Sequence, residues 1–588
     1  MTSPIQVRIA ALVISAAVSV FACLLFIDFA APGGYDVLDL VRTALVLISI
    51  FWLAWGSGIG LVGVFRKHRT PQGAPALTAQ HSRVAILMPI YNEEPIATFS
   101  RVAAMNASLD ELGVTDRFHI AILSDTTRPE VAAEEAVWFD RLLGEPKAMG
   151  RVFYRRRTSN VGKKAGNVED FIRRSGAAYD YALILDADSL MEGATIVEMA
   201  RRMDADPKLG LLQTLPKIIN ARSFFGRCMQ FSSNYLSPSF ARGAAALQGH
   251  EGPFWGHNAM IRVGAFAASC GLPELSGKPP SGGHILSHDY VEAAMLARAG
   301  WTVRLDPDLG GSFEEGPENL IEYAKRDRRW CQGNLQHRRL LLAPGLKIWN
   351  RFTFLQGIMA YLASPIWLAL LAISIISTAV PQRYYIPSWE LASGLHAAWN
   401  LAIGVTVLLL LPKVMILLRG LVTGDNRKFG GFVPALLSTV VEIGYSTLLA
   451  PVMLLLQSRA VSQVLLGLDG GWPATKRSES RVDIRDAWAA SWWMVVFGFA
   501  TLAVVLTIAP KIVVWVIPAV APMALAPLLI AAGSRSKAAG RKPFLFATPL
   551  EFQPSPVMET RQRILDSWMV QAELLAPNMT AELRPVSA

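Results

Sequence analysis

Hydrophobic positions along the chain fall into two kinds of run. The long ones lie towards the two ends, at 9–29 and 43–65, then at 354–380, 398–418, 489–508 and 512–531. Each is long enough to cross a bilayer core, which takes about 20 apolar residues. The short ones lie between, in a stretch of ordinary soluble character from about 81 to 350: RVAILMPI (83–90), FHIAILSD (118–125), MGRVFYRR (149–156) and YALILDAD (181–188). They read as buried strands, and the polar stretches near 95–112, 129–143 and 164–175 read as helices. Strand–helix alternation predicts a mostly parallel α/β sheet. The pattern thus divides the chain into a membrane hairpin (1–80), an α/β domain (81–350), membrane and interfacial helices (351–535) and a tail (536–588).

Two runs need a decision. The first, 9–29, exceeds the 7–15 residues of a signal-peptide core, and a second span follows at once, so the pair is expected to stay in the membrane as a hairpin. The run at 432–456 could cross by length but carries Glu442, Pro434 and Pro451. A single crossing there would send Lys476, Arg477, Arg481 and Arg485 to the far side, against the rule that positive loops stay inside. An interfacial helix or a re-entrant hairpin is expected instead. That gives six crossings, or eight if the hairpin goes through.

Composition supports this division. Of 588 residues 52% are hydrophobic and 17% charged, with mean hydropathy +0.34; soluble domains carry about a quarter charged residues. Arg66, Lys67, His68 and Arg69 precede the α/β domain, and Arg338, Arg339, Lys347 and Arg351 close it. Positive flanks put that domain, and with it both termini, on the cytoplasmic side. The net charge of +10 reads first as attraction to anionic lipid and only second as nucleic-acid binding. The four cysteines lie far apart, which suggests neither a disulfide framework nor a zinc site.

In α/β sheets ligands bind beyond the carboxyl ends of the strands, and three of the four predicted strands end in suggestive residues. The first ends in Tyr91, Asn92 and Glu93, the second in Asp125, and the fourth in Asp186 and Asp188. Alternate residues of an extended strand share a face, so Asp186 and Asp188 emerge together. Such a cluster suits a divalent cation, since Mg²⁺ uses one or two carboxylates plus substrate phosphates; the competing role is capping of the next helix. NVGKKAGN brings Lys163 and Lys164 to a helix start, where anions bind. Asp289 opens another helical pattern and is a candidate general base. His284 and His288 are spaced like metal ligands but have no third soft ligand beside them. RDRRWCQGN (326–334) sets arginines beside an aromatic just before the membrane block.

Taken in order, PIYNE (89–93), KAGN (164–167), DAD (186–188), HD (288–289) and RxxRW (326–330), the motifs resemble those of processive family 2 glycosyltransferases. That family includes cellulose, chitin and hyaluronan synthases. The resemblance implies a GT-A (Rossmann-like) cytoplasmic domain inserted in a polytopic α-helical transmembrane domain. It also implies a UDP-sugar donor, inversion at the anomeric carbon and export of the polymer. Carried over by position, Tyr91, Glu93 and Asp125 would hold the uridine and Lys164 would meet the nucleotide. Asp186 and Asp188 would serve the diphosphate and its Mg²⁺ or Mn²⁺. Asp289 would be the base, Arg329 would meet the leaving diphosphate and Trp330 the acceptor sugar.

The family more often has Thr-Glu-Asp where this chain has Ser287-His288-Asp289, and Gln where it has Arg326. Those departures, with FWGHNAMIR (254–262) and QTLP (213–216), look most like the glucosyltransferase H branch. It makes the β-1,2-linked glucose backbone of osmoregulated periplasmic glucans in the inner membrane of Gram-negative bacteria. That resemblance implies UDP-glucose and a growing glucan as substrates, membrane lipid as surroundings, and acyl carrier protein and a periplasmic glucan protein as partners. The segment 441–480, ending in GLDGGWPATKR, resembles an interfacial helix and gating loop, the loop falling near 468–486. Two alternatives stay open: another β-glycan synthase, cellulose- or chitin-like, and a transporter with a nucleotide-binding domain.

Overall fold

The computed structural model describes residues 3–30, 35–66, 82–379, 394–468, 481–536 and 544–582. Ten strands form in the central region: β1 (Val84–Ile90), β2 (Phe118–Ser124), β3 (Val152–Arg156), β4 (Tyr181–Ile184), β5 (Leu190–Met191), β6 (Leu209–Thr214), β7 (Lys217–Ile219), β8 (Ala259–Arg262), β9 (Thr302–Asp306) and β10 (Ser312–Glu315). Seven make one sheet in the order β3-β2-β1-β4-β8-β6-β9, and β5-β10-β7 make a second, smaller one. The four strands expected from the short apolar runs are β1 to β4, and they pair in parallel. The sheet is mixed, because β8 runs antiparallel to both β4 and β6.

The register explains why functional residues gather at one edge. Ile90 lies opposite Ser124 and Leu87 opposite Ile184, so the chain leaves β1, β2 and β4 on the same side of the sheet. Both faces are covered: Val84, Ile86 and Met88 enter one core, and Ala85 and Leu87 enter the other. That is why the run is almost continuously apolar. Helix Pro95–Asp110 begins where Glu94 accepts from the amides of Ile96 and Ala97, at 3.0 and 2.6 Å, with Pro95 in its first turn. Side-chain capping of that kind satisfies amides with no partner inside the helix.

Among the described residues six helices are long and apolar enough to cross a membrane: Pro4–Ala30, Val37–Phe65, Ile348–Thr378, His396–Thr423, Phe432–Leu465 and Ile484–Ile508. The expected run 512–531 is broken instead, Val513–Ala524 and Ala526–Gly533 meeting at 55°. The amide of Val482 donates to Ser534 Oγ at 2.9 Å, so this pair returns to the level where Ile484–Ile508 began.

Phe432–Leu465 is one unbroken helix of 34 residues, which rules out the re-entrant hairpin. It touches the α/β side of the molecule along its whole length. Ser438 Oγ accepts from the amide of Phe546 at 2.9 Å, and Ser232 Oγ donates to Glu442 at 3.4 Å. Tyr445 packs edge-on against Phe224. Gln457 donates to Asp327 at 3.2 Å, and Gln463 accepts from Arg328 at 3.0 Å. Most of the expected gating loop, with GLDGGWPATKR, lies outside the described residues.

The tail expected at 536–588 needs the clearest correction. Helix Pro556–Glu582 packs on helix Pro95–Asp110, and Val557 and Trp568 are buried in the same core as Val84, Ile86 and Met88. Trp568 stacks on Trp138, ring centres 5.5 Å apart, and its Nε1 donates to Glu145 at 3.2 Å. One face of this segment is part of the α/β domain's interior.

Candidate active site

A cleft of about 300 Å³ opens at the carboxyl ends of β1, β2 and β4. Ten of the residues singled out from sequence line it: Tyr91, Glu93, Asp125, Lys164, Asp186, Asp188, Asp289, Arg326, Arg329 and Trp330. Helix capping does not account for the aspartates. The helix after Asp125 starts with Arg128 at its cap, the helix after Asp188 with Glu192, and the helix holding Asp289 with Ser287.

On the β1–β2 side, Asn92 takes a left-handed backbone (φ 52°) and ties the two strand ends together. Its Oδ1 accepts from the amides of Thr127 and Arg128, at 3.1 and 3.0 Å, and its amide donates to Thr126 Oγ1 at 3.0 Å. Asp125 is buried, and both its oxygens accept from Arg157, at 2.7 Å each. Arg157 was not singled out from the sequence.

At the end of β4, Lys164 donates to Asp186 Oδ1 and, at 2.7 Å, to the Gly256 carbonyl. His257 comes from FWGHN and faces the same carboxylate, its Nδ1 3.7 Å from Asp186 Oδ2. Its Nε2 donates to Glu314 at 2.8 Å and its Nδ1 to the Trp255 carbonyl at 3.2 Å. An imidazole that donates from both nitrogens is an imidazolium. Burial disfavours that cation, but Asp186 and then Glu314 outweigh it and raise the His257 pKa. Burial likewise disfavours ionised Asp186, yet Lys164 and His257 hold its carboxyl well below the usual range. QTLP anchors this loop: Gln213 accepts from the Trp255 amide at 3.0 Å and donates to the His257 carbonyl at 2.9 Å.

Asp289 stands on the opposite wall. Gly256, with φ +85°, passes so close that a Cβ there would sit 3.3 Å from Asp289 Oδ2. Burial pushes the Asp289 carboxyl up to about 6, against the neighbouring His288, which lowers it. The turn carrying it is held by the far end of helix Leu320–Gln336. Gln336 accepts from the Leu286 amide at 3.0 Å, and His337 donates to the Ser287 carbonyl at 2.9 Å. Along the same helix Arg326 lies over the ring of Trp330, 4.7 Å from its centre, and Trp330 remains 42% exposed on the cleft. One helix therefore positions both the base candidate and an aromatic platform.

The donor set suits one divalent cation. Asp186 and Asp188 face the cleft together, and among the described residues no group of three or more His, Cys, Asp or Glu is arranged as a metal cage. Two carboxylates fit an ion that takes its other ligands from phosphate and water. His284 and His288 do not converge. Their nearest carboxylates are Glu274 at 3.9 Å and Glu292 at 3.1 Å respectively.

Residues 85–269 match Glycosyl transferase family 2, and residues 181–418 match Glycosyl transferase family group 2. Glucans biosynthesis glucosyltransferase H of Cereibacter sphaeroides is 52% identical over 573 residues, 95% of each chain. The protein of that name from Shewanella sp. (strain ANA-3) is 40% identical over 560 residues, 92% of this chain and 76% of the relative. The chain belongs to the glucans biosynthesis glucosyltransferase H family. Membership makes it a family 2 glycosyltransferase of glucan biosynthesis, with an α/β catalytic domain beside apolar helices. A glucosyltransferase H uses a sugar-nucleotide donor and a glucan acceptor, and family 2 enzymes typically depend on a divalent metal.

Proposed function

We propose that this chain is an inner-membrane, inverting glucosyltransferase that polymerises glucose from UDP-glucose into the β-1,2-linked backbone of osmoregulated periplasmic glucans and exports it. The supporting observation is the convergence of Asp186, Asp188, Lys164, Asp289, Arg329 and Trp330 on one cleft, from segments 166 positions apart at the extremes.

In this reading Tyr91, Glu93 and the Asp125–Arg157 pair seat the uridine. Lys164 meets the diphosphate. Asp186 and Asp188 would hold the Mg²⁺ or Mn²⁺, which when bound supplies positive charge to the diphosphate. Asp289 accepts the proton of the attacking glucan hydroxyl, which approaches the anomeric carbon from the side opposite UDP; a carboxyl near 6 is ionised at neutral pH and still basic enough for this. Arg326 and Arg329 add fixed cations where negative charge builds on the leaving group. Trp330 offers the acceptor sugar a flat face.

The same reading sets helix Phe432–Leu465 along the cytoplasmic membrane surface, because both its ends and its middle meet the α/β side. The remaining apolar helices then pair as out-and-back hairpins, giving six crossings with the catalytic domain in the cytoplasm.

The deciding experiment is incorporation of labelled UDP-glucose by purified full-length protein with Mg²⁺, with and without acyl carrier protein, followed by linkage analysis. The expected product is a β-1,2-linked glucan, absent with Asp188→Asn although that variant stays folded. Retained activity in Asp188→Asn, or a different linkage, overturns the assignment.

A further inference from the structure

Helix Pro556–Glu582 does more than fill the core. The polar contacts at its start reach side chains near the Asp186–Asp188 turn. Arg561 Nη1 donates to Glu315 Oε1 at 3.0 Å, and Arg101 Nη2 donates to Glu315 Oε2 at 2.7 Å. Arg101 Nη1 then donates to the carbonyl of Ala187 at 3.1 Å. Ala187 is the residue between the two aspartates. On the other side of the turn, Ser555 Oγ donates to Glu192, and the Val557 amide donates to the same oxygen at 3.3 Å. The start of the last helix therefore grips the turn from both sides.

The grip is built from buried charge. Arg101 is 4% exposed and Arg561 7%, and Glu315 itself lines the cleft. Burial alone would push the Glu315 carboxyl up, but Arg101 and then Arg561 outweigh it and hold it down to about 2. Each guanidinium donates once, Arg561 to one oxygen and Arg101 to the other, and such charge-assisted bonds hold the carboxylate between them. If Arg561 is removed, Glu315 keeps Arg101 and, at 3.2 Å, Asn220, but loses one of its two cations, so the carboxylate can shift and draw Arg101 with it. A shift of Arg101 releases the Ala187 carbonyl, which lies between Asp186 and Asp188.

We propose that Arg561 is a positioning residue: through Glu315 and Arg101 it sets the spacing of Asp186 and Asp188, so the last helix controls how tightly the site takes a divalent cation together with a nucleoside diphosphate. This rests on the reading of Asp186 and Asp188 as the cation-holding carboxylates. Arg561 touches neither substrate nor cation. Its effect passes through hydrogen bonds spanning 246 positions from Arg561 to Glu315 and 214 from Glu315 to Arg101.

The test is Mn²⁺ titration of the full-length protein in nanodiscs, with UDP present, followed by electron paramagnetic resonance. Arg561→Gln is expected to weaken Mn²⁺ binding about tenfold, which corresponds to 1.4 kcal/mol, and Arg561→Lys, which keeps a charge on Glu315, to recover most of it. Arg561→Gln should add nothing to Glu315→Gln, because both cut the same chain of contacts. In turnover, Arg561→Gln should regain kcat at saturating Mn²⁺, which a merely unfolded fraction would not do. Wild-type Mn²⁺ affinity in Arg561→Gln, or additive losses in the double variant, overturns the proposal. Should Arg561→Gln fail to fold, Arg561→Lys and Glu315→Gln carry the same comparison. Asp188→Asn separates the two levels: if it binds Mn²⁺ like the wild type, the carboxylate reading itself fails, and if it loses binding while Arg561→Gln does not, only the positioning role fails.

Discussion

Arg157 donates Nε and Nη2 to the two oxygens of Asp125, 2.7 Å each, closing a planar fork at the mouth of the cleft. The same guanidinium donates to the carbonyls of Val161 and Lys163, at 3.2 and 3.1 Å, so it also holds the loop that leads to Lys164. Lysine keeps the charge but cannot make this fork. Arg157→Lys should therefore raise KM for the sugar-nucleotide donor about tenfold while changing kcat less than threefold, as expected where ground-state binding is lost. Initial rates across donor concentration check this.

The raised carboxyl of Asp289 gives activity and stability opposite pH trends. As the proposed base, Asp289 must be ionised for turnover, so kcat/KM should rise through about pH 6 and level off above it. The folded state holds this proton more tightly than the unfolded chain does. Stability from this group is thus present below about pH 4 and is lost as pH rises through about 6. Asp289→Asn should abolish turnover yet stabilise the protein at pH 8, by about 1–3 kcal/mol once the opening on to the cleft is allowed for. Melting curves at pH 8 and pH 4 check the sign, since the gain should vanish at the lower pH.

Gly256 tolerates φ +85° and leaves room for Asp289. Alanine there is strained in the backbone and presses on the carboxylate. Gly256→Ala is expected to cut kcat about a hundredfold, and to lower the melting temperature only modestly. A loss confined to KM would show that the loop, rather than the base, is displaced.

Arg326 lies over Trp330 where its relatives in processive synthases more often carry glutamine. A cation–aromatic contact at such a partly exposed place contributes about 0.5–1 kcal/mol. Arg326→Gln should raise the acceptor KM about threefold and shorten the glucan, and Trp330→Ala should do both more strongly. Product sizing by chromatography reads the difference.

How much of this is legible in the chain differs from residue to residue. Tyr91, Asp125, Asp186 and Asp188 each end an apolar run, so the sheet places them by itself. Asp289, Arg329 and Trp330 lie away from those strand ends, and the order of the motifs is what joins them to the same site. Arg157 is hidden in a run of three arginines, and nothing local marks which one meets Asp125. His257, Glu314 and Glu315 take their meaning from contacts across long stretches of sequence. The last helix did carry a signal: Val557, Arg561, Ile564, Trp568 and Ala572 recur at helical spacing. An arginine in the second place breaks that apolar stripe, and the charge-rich surroundings make the segment look like a tail. Phe432–Leu465 is the converse case, apolar enough to span yet laid along the domain by polar residues spaced over its whole length.

The position of Trp568 also sets an order of events during synthesis. Val557 and Trp568 enter the core that begins with Val84, yet they follow every membrane-length apolar helix among the described residues. Ribosomes add about 5–20 residues each second, and domains fold as their parts emerge. The interior of the catalytic domain therefore stays open until the last hydrophobic helix has already left the ribosome. A nascent chain cannot finish its sugar-transferring site before its own membrane helices exist.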